Sequence, residues 1–170
     1  QFLPGTGEAV GALLVADPRT VGVVFTGSTD VATHIHRALA ARGNVPLVAE
    51  TGGQNAMIVD ASALPEQVVQ DAIASAFDSA GQRCSALRVL CLQQEIADRV
   101  IGMLAGAMRE LVVGDPADLA TDVGPIIDAA AKEALTAHLV RLEREAKRIA
   151  RAPLDPATDA RGHFLAPAAF

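Results

Sequence analysis

Apolar positions recur along this chain at two spacings, one helical and one strand-like, and the two alternate. From Glu8 to Ala16, the residues Ala9, Val10, Leu13 and Leu14 share one helical face, and Asp17-Pro18 ends the segment. Val21 to Thr26 is a short β-rich apolar run, which predicts a buried strand. Gly27-Ser28-Thr29-Asp30 supplies a turn and N-cap residues. Val31, Ile35 and Leu39 then repeat at helical spacing and predict a helix to about Ala41, broken by Gly43-Asn44. Pro46 to Ala49 predicts another strand, which runs into Glu50-Thr51-Gly52-Gly53.

After the paired glycines the alternation starts again. Ala56 to Val59 predicts a strand. Pro65 suits the first turn of a helix, and Val68, Val69, Ala72, Ile73, Ala76 and Phe77 form its apolar stripe up to Gly81. Arg88 to Leu92 predicts a strand, and Ile96, Val100, Leu104, Met108 and Leu111 mark a long helix. Turns follow at Gly114-Asp115-Pro116 and Gly124-Pro125. Leu135, Leu139, Leu142, Ala146 and Ile149 mark a last helix, Pro153 to Gly162 a loop, and His163 to Phe170 a strand. Strands alternating with helices predict an α/β fold with parallel pairing. The expected organisation is residues 1–50 as one domain segment and 51–170 as another, divided near Gly52-Gly53.

Composition narrows the class. The chain has 170 residues, 51% of them apolar, and a net charge of -6. That balance excludes disorder, and the absence of a basic cluster argues against nucleic acid as a partner. Alanine accounts for 34 positions, so much of the apolar fraction is small and helix-forming. No apolar run is long enough for a transmembrane helix, and no signal-peptide pattern opens the chain. Two cysteines fit a reducing compartment, so a cytoplasmic location is expected. The chain starts on Gln1 without Met and stops on Phe170 just after a β-like stretch, which reads as a segment of something longer.

Four places carry candidate chemistry. At Phe25-Thr26-Gly27-Ser28-Thr29 a strand ends and a helix begins. Free N–H groups at a helix start favour an anion such as phosphate, although an ordinary capping turn has the same sequence. Gly5-Thr6-Gly7, with Gly11 beyond, mimics a dinucleotide fingerprint but lacks the preceding strand, and reads better as a loop entering a helix. Glu50 ends a strand at the sheet edge where α/β proteins bind ligands. It is a candidate base, or else a solvated loop acid. Cys84, in Gly81-Gln82-Arg83-Cys84-Ser85, lies in a loop beside the cation Arg83, and is either a reactive thiol or a small buried residue.

The remaining titratable residues suggest structure. Cys91, within Val89-Leu90-Cys91-Leu92, is expected to be inert core. The cysteines lack zinc-site spacing, and His34, His36, His138 and His163 are scattered, so neither a metal nor a catalytic histidine is expected. Arg141, Arg144, Lys147, Arg148 and Arg151, interleaved with Glu143 and Glu145, read as a solvated helix face.

Three motifs in order, Phe-Thr-Gly-Ser-Thr, Glu-x-Gly-Gly and Gly-Gln-x-Cys, resemble the aldehyde dehydrogenase superfamily over essentially the whole chain. The interval from Glu50 to Cys84 is similar to the family's base-to-nucleophile spacing. Gly114-Asp115-Pro116, Gly124-Pro125 and the Gly162 to Pro167 stretch resemble later family landmarks. Thr51 and Gln54 replace the Leu and Lys that commonly flank the glycine pair. With Ser79-Ala80-Gly81-Gln82-Arg83-Cys84-Ser85-Ala86, they are similar to the 1-pyrroline-5-carboxylate dehydrogenase domains of the bifunctional proline utilization A group.

That resemblance implies the end of a Rossmann-like NAD domain followed by the start of an α/β catalytic domain. It implies NAD-dependent oxidation of L-glutamate γ-semialdehyde to glutamate through a thiohemiacetal and a thioester. Cys84 is the implied nucleophile and Glu50 the base. Gly27, Ser28, Thr51, Gly52 and Gly53 are implied on the cofactor side, and Arg83 and Ser85 near the substrate. The family's oxyanion-hole Asn lies upstream of Gln1, and its substrate-anchor and oligomerisation segments lie beyond Phe170. The parent is implied to be a homo-oligomer, with fusion to a proline dehydrogenase domain open, and the isolated segment inactive. Alternatives at this stage are another aldehyde or semialdehyde as substrate, and a non-catalytic remnant serving as an interaction module. A cysteine acyltransferase without NAD needs a histidine partner that the local sequence does not supply.

Overall fold

The computed structural model describes residues 1–170, which divide into two compact units, Gln1–Gly53 and Gln54–Phe170. In the first, a π-helical turn over Gly7–Gly11 leads into α1 (Ala12–Ala16). Thr6 caps the turn, its side chain accepting from the Ala9 N–H, so Gly5-Thr6-Gly7 leads directly into a helix. Strands β1 (Val23–Thr26) and β2 (Leu47–Glu50) pair in parallel and are joined by α2 (Thr29–Ala40). Ala32 and Leu39 on α2 are the buried apolar residues of this unit.

The buried strand expected at Val21 to Thr26 is corrected by its exposure. Val23 and Phe25 are half-buried while Val21 and Val24 are 81% and 82% exposed. Within the unit only one face of the two-stranded sheet is covered, so alternate side chains face outward.

The second unit holds the large core. Strands β3 (Asn55–Val59) and β4 (Leu87–Leu92) pair in parallel, connected through α3 (Pro65–Phe77) and a 3-10 turn over Asp78–Gly81. The long helix α4 (Gln94–Glu110) packs on α3, as its apolar stripe requires. Val59, Val68, Val69, Ala72, Leu87, Val100, Leu104 and Met108 form one cluster with Leu111, Val113, Val123 and Phe164.

Beyond α4 the periodicity misleads at its end. Helix α5 (Ala129–Glu145) stops at Glu145 and buries no residue. Ile149, expected to be helical, instead donates its N–H to the Ala169 carbonyl at 2.8 Å, at the start of β5 (Ala150–Arg151). β5 pairs antiparallel with β6 (Ala168–Ala169), so the predicted strand from His163 is shorter than expected. The predicted loop Pro153 to Gly162 contains a one-turn helix, α6 (Pro156–Asp159), capped by Asp155 and opened by Pro156.

Candidate active site

At the carboxyl ends of β1 and β2, Thr26 sits in register with Glu50, and the Gly27 N–H donates to the Glu50 carbonyl at 3.1 Å. Gly27, Ser28 and Glu50 therefore share one sheet edge, with Thr51 following. The Ser28 Oγ accepts from the Val31 N–H at 3.2 Å and caps α2. Its O–H remains available to a ligand, as do the Thr29 and Asp30 amides, which have no acceptor inside the helix. Asp30 occupies the same first turn.

The glycines differ in what they are for. A Cβ on Gly27 would come within 2.4 Å of the Phe25 ring, so Gly27 is small because Phe25 folds over it. A Cβ on Gly52 would meet nothing within 4 Å, so the chain itself makes no steric demand for glycine there.

In the second unit, Cys84 is exposed at the tip of a turn closed by the Ala86 N–H donating to the Arg83 carbonyl at 3.2 Å. The approach to this turn is backbone of unusual conformation. Ser79, Ala80 and Gly81 have φ of 56°, 54° and 67°, all left-handed. For Ser79 and Ala80 that costs about 1–2 kcal/mol each. At Gly81 a Cβ would lie 2.7 Å from the Ala76 carbonyl oxygen, so only glycine fits.

Side chains hold the segment in place. The Gln82 Nε2 donates to the carbonyls of Ser79 at 3.0 Å and Pro125 at 3.1 Å, and its Oε1 accepts from the Ile127 N–H at 2.8 Å. Arg88 donates to the Gly81 carbonyl at 2.6 Å. Arg83 donates to the Ala74 and Ser75 carbonyls at 3.0 and 3.3 Å, in the last turn of α3, where the Ala74 carbonyl also accepts from the Asp78 N–H. The Asn55 Nδ2 donates to the carbonyls of Cys84 at 2.7 Å and Ala86 at 2.9 Å.

The sequence singles out Cys84 as a candidate but not the side chains that hold its turn. Arg83 was read as a cation beside the thiol, and its guanidinium instead reaches the end of α3. Asn55 and Arg88 were missed. Their signal was faint: one polar residue opening the apolar strand β3, and one basic residue within the apolar strand β4. Cys91, expected in the core, is exposed. It lies in register with Ile58, itself 85% exposed, on a face of the β3–β4 pair that nothing covers within the unit.

The comparisons with known proteins agree over the whole length. The sequence matches the aldehyde dehydrogenase family across residues 1–170. It is 54% identical over 176 aligned positions to the bifunctional protein PutA of Klebsiella aerogenes, covering 98% of this chain and 13% of that protein. It is 35% identical to a 1-pyrroline-5-carboxylate dehydrogenase of Geobacillus thermodenitrificans, covering all of this chain and 33% of the relative. A crystal structure of a Bradyrhizobium japonicum proline utilization A variant superposes with a TM-score of 0.90 at 56% identity, covering 96% of this chain and 16% of that one. The chain therefore spans roughly an eighth of the length of its PutA relatives.

Proposed function

The chain belongs to the aldehyde dehydrogenase family, and from that membership we propose that it carries the nucleophile and the base of an NAD-dependent oxidation of L-glutamate γ-semialdehyde to glutamate, within a longer enzyme of proline catabolism. The fold is aldehyde dehydrogenase-like, and members of this family generally use NAD(P). Similarity to proteins named PutA and 1-pyrroline-5-carboxylate dehydrogenase supports the choice of substrate. The observation that carries the reading is the Cys84 turn, an exposed thiol on backbone that side chains clamp from both ends.

The residues of the first unit fit a dinucleotide by the chemistry of their donors. Ser28 and the first amides of α2 would hold the pyrophosphate. Thr51, Gly52 and Gly53 would lie toward the nicotinamide, which accounts for a glycine at position 52 that its own surroundings do not require. A bound NAD supplies the two-electron acceptor for the oxidation.

The chain's own residues do the rest. The Cys84 thiolate attacks the aldehyde carbon, forming the S–C bond of a thiohemiacetal. The Cys84 N–H, which the turn does not use, donates to the oxygen as negative charge develops there. After oxidation to the thioester, Glu50 takes a proton from water, the water oxygen bonds to the acyl carbon, and the C–S bond breaks to return the thiolate. Ser85 follows the thiol in the turn and is assigned to the substrate side, and Arg83 acts through its hold on the end of α3. The parent enzyme is a homo-oligomer in this reading, with a proline dehydrogenase domain as its second activity, and works in the cytoplasm. No helix here is long and apolar enough to cross a membrane.

The test uses the full-length enzyme. Cys84→Ala lowers aldehyde-dependent NADH production by at least about 10³-fold. Surviving activity would remove Cys84 as the nucleophile. Glu50→Gln gives one rapid turnover of NADH and then a steady rate reduced by about 100-fold or more. A steady rate equal to that of the unmodified enzyme takes Glu50 out of the mechanism.

A further inference from the structure

Asn55 ties down the peptide that carries the proposed nucleophile. Its side-chain amide has two N–H donors, and both carbonyls within their reach belong to the Cys84 turn: Cys84 at 2.7 Å and Ala86 at 2.9 Å. The two carbonyls lie on either side of Ser85, so one planar group fixes the turn at two points. Ala86 is fully buried and Leu87 begins β4, in register with Asn55 itself. Ala86 therefore anchors the turn to the core, and Asn55 extends that anchor outward to the exposed Cys84.

The register irregularity between Asn55 and Ala56 coincides with this contact. Asn55 pairs with Leu87 while Ala56 pairs with Val89, so the β4 strand carries an extra residue, Arg88, between them. Arg88 is the residue that reaches back to the Gly81 carbonyl at 2.6 Å. One bulge thus coincides with both supports: Asn55 on the Cys84 side of the loop and Arg88 on the left-handed side.

We propose that Asn55 is a positioning residue for the Cys84 nucleophile, fixing the Cys84 peptide through its two carbonyl contacts so that the thiol and the Cys84 N–H are presented together to the substrate. This rests on Cys84 being the nucleophile. A carbonyl held in place fixes the plane of the peptide that follows Cys84 and limits its ψ. Displacement of an attacking atom by about 1 Å can cost on the order of 100-fold in rate.

The experiment compares Asn55→Ala, Asn55→Asp and Asn55→Ser in the full-length enzyme, with Cys84→Ala alongside. Aspartate keeps the shape and removes both donors, whereas serine keeps one O–H donor. Asn55→Ala and Asn55→Asp are expected to lower kcat on the order of 10- to 100-fold, with KM for NAD unchanged. The deuterium isotope effect with an aldehyde carrying deuterium on its carbonyl carbon should increase, because the adduct that the Cys84 sulfur and N–H hold together is less well placed and C–H cleavage from it comes to limit turnover. Asn55→Ser should recover part of the rate. A merely structural role lowers the folded, active fraction and leaves the isotope effect where it was. That outcome, or wild-type kcat in Asn55→Asp, overturns the proposal. Where Asn55→Ala does not fold, Asn55→Ser decides: a reduced kcat with a raised isotope effect supports positioning, and wild-type values of both overturn it. Activity surviving in Cys84→Ala would defeat the nucleophile assignment itself, whatever the Asn55 variants do.

Discussion

The two loops that carry the proposed chemistry are built in opposite ways. The segment from Gly27 to Asp30 has ordinary backbone angles, and its side-chain ties are local ones within the start of α2: the Ser28 cap on Val31 and the Thr33 hydroxyl donating to the Thr29 carbonyl. Its donors are the open amides that any helix start leaves free. The segment from Ser79 to Ala86 begins with three consecutive left-handed residues and is bound by Asn55, Gln82, Arg83 and Arg88. A helix start suffices to hold a charged group, because the attraction is broad and the ligand adjusts. A nucleophile must meet one carbon at bonding distance, so its backbone needs constraint from several directions.

The surrounding units differ in the same sense. The first buries only Ala32 and Leu39, whereas the second closes a continuous core around Val100 and Met108, both fully buried. The clamped loop sits on the unit with the core to support strained backbone. The open helix start sits on the unit with little.

This contrast can be broken by experiment, most severely at Gly81. Gly81→Ala places a side chain in left-handed backbone and against the Ala76 carbonyl. A loss of at least about 1–3 kcal/mol is expected in chemical denaturation of the full-length protein, with slower alkylation of Cys84 by iodoacetamide. A neutral result would mean that the left-handed run is not required.

A smaller effect is expected at the other loop. Ser28→Ala removes the α2 cap and should cost about 0.5–2 kcal/mol, together with weaker NAD binding measured by calorimetry. Stability lost without any change in NAD affinity would leave Ser28 a cap and nothing more.

The smallest effect tests whether the first unit depends on exposed, local ties. The Asp17 carboxylate lies below its ordinary pKa because it accepts hydrogen bonds from the Arg19 side chain and then from the Arg19 N–H. A lowered folded-state value means that this contribution is present above the ordinary carboxylate pKa and is lost as pH falls through the lowered one. Arg19→Ala should move the Asp17 midpoint upward by NMR titration, with almost no change in stability at neutral pH. An unmoved midpoint would show that the pair does not form in solution.

Much of the fold was legible because its causes are local. The helical spacing of Val31, Ile35 and Leu39 yields α2, and the stripes beginning at Val68 and Ile96 yield α3 and α4. Asp155-Pro156 also carried a readable helix start, which the surrounding loop composition obscured. The order of the three motifs was enough to mark the family.

What the sequence by itself determined, then, is the succession of elements, the parallel βαβ character and the residues on which a family resemblance could rest. The tertiary structure decided the rest. Cys91 is exposed because burial depends on what covers a sheet face, which strand composition does not reveal. Ile149 leaves the helical series because the Ala169 carbonyl accepts its N–H. Ser79 and Ala80 become left-handed, against their own preference, in a turn whose carbonyls Gln82 and Arg88 hold. Asn55 meets a carbonyl 29 positions away because β3 and β4 lie side by side. Propensity and periodicity act over a few residues, whereas each of these outcomes depends on a contact made elsewhere in the fold.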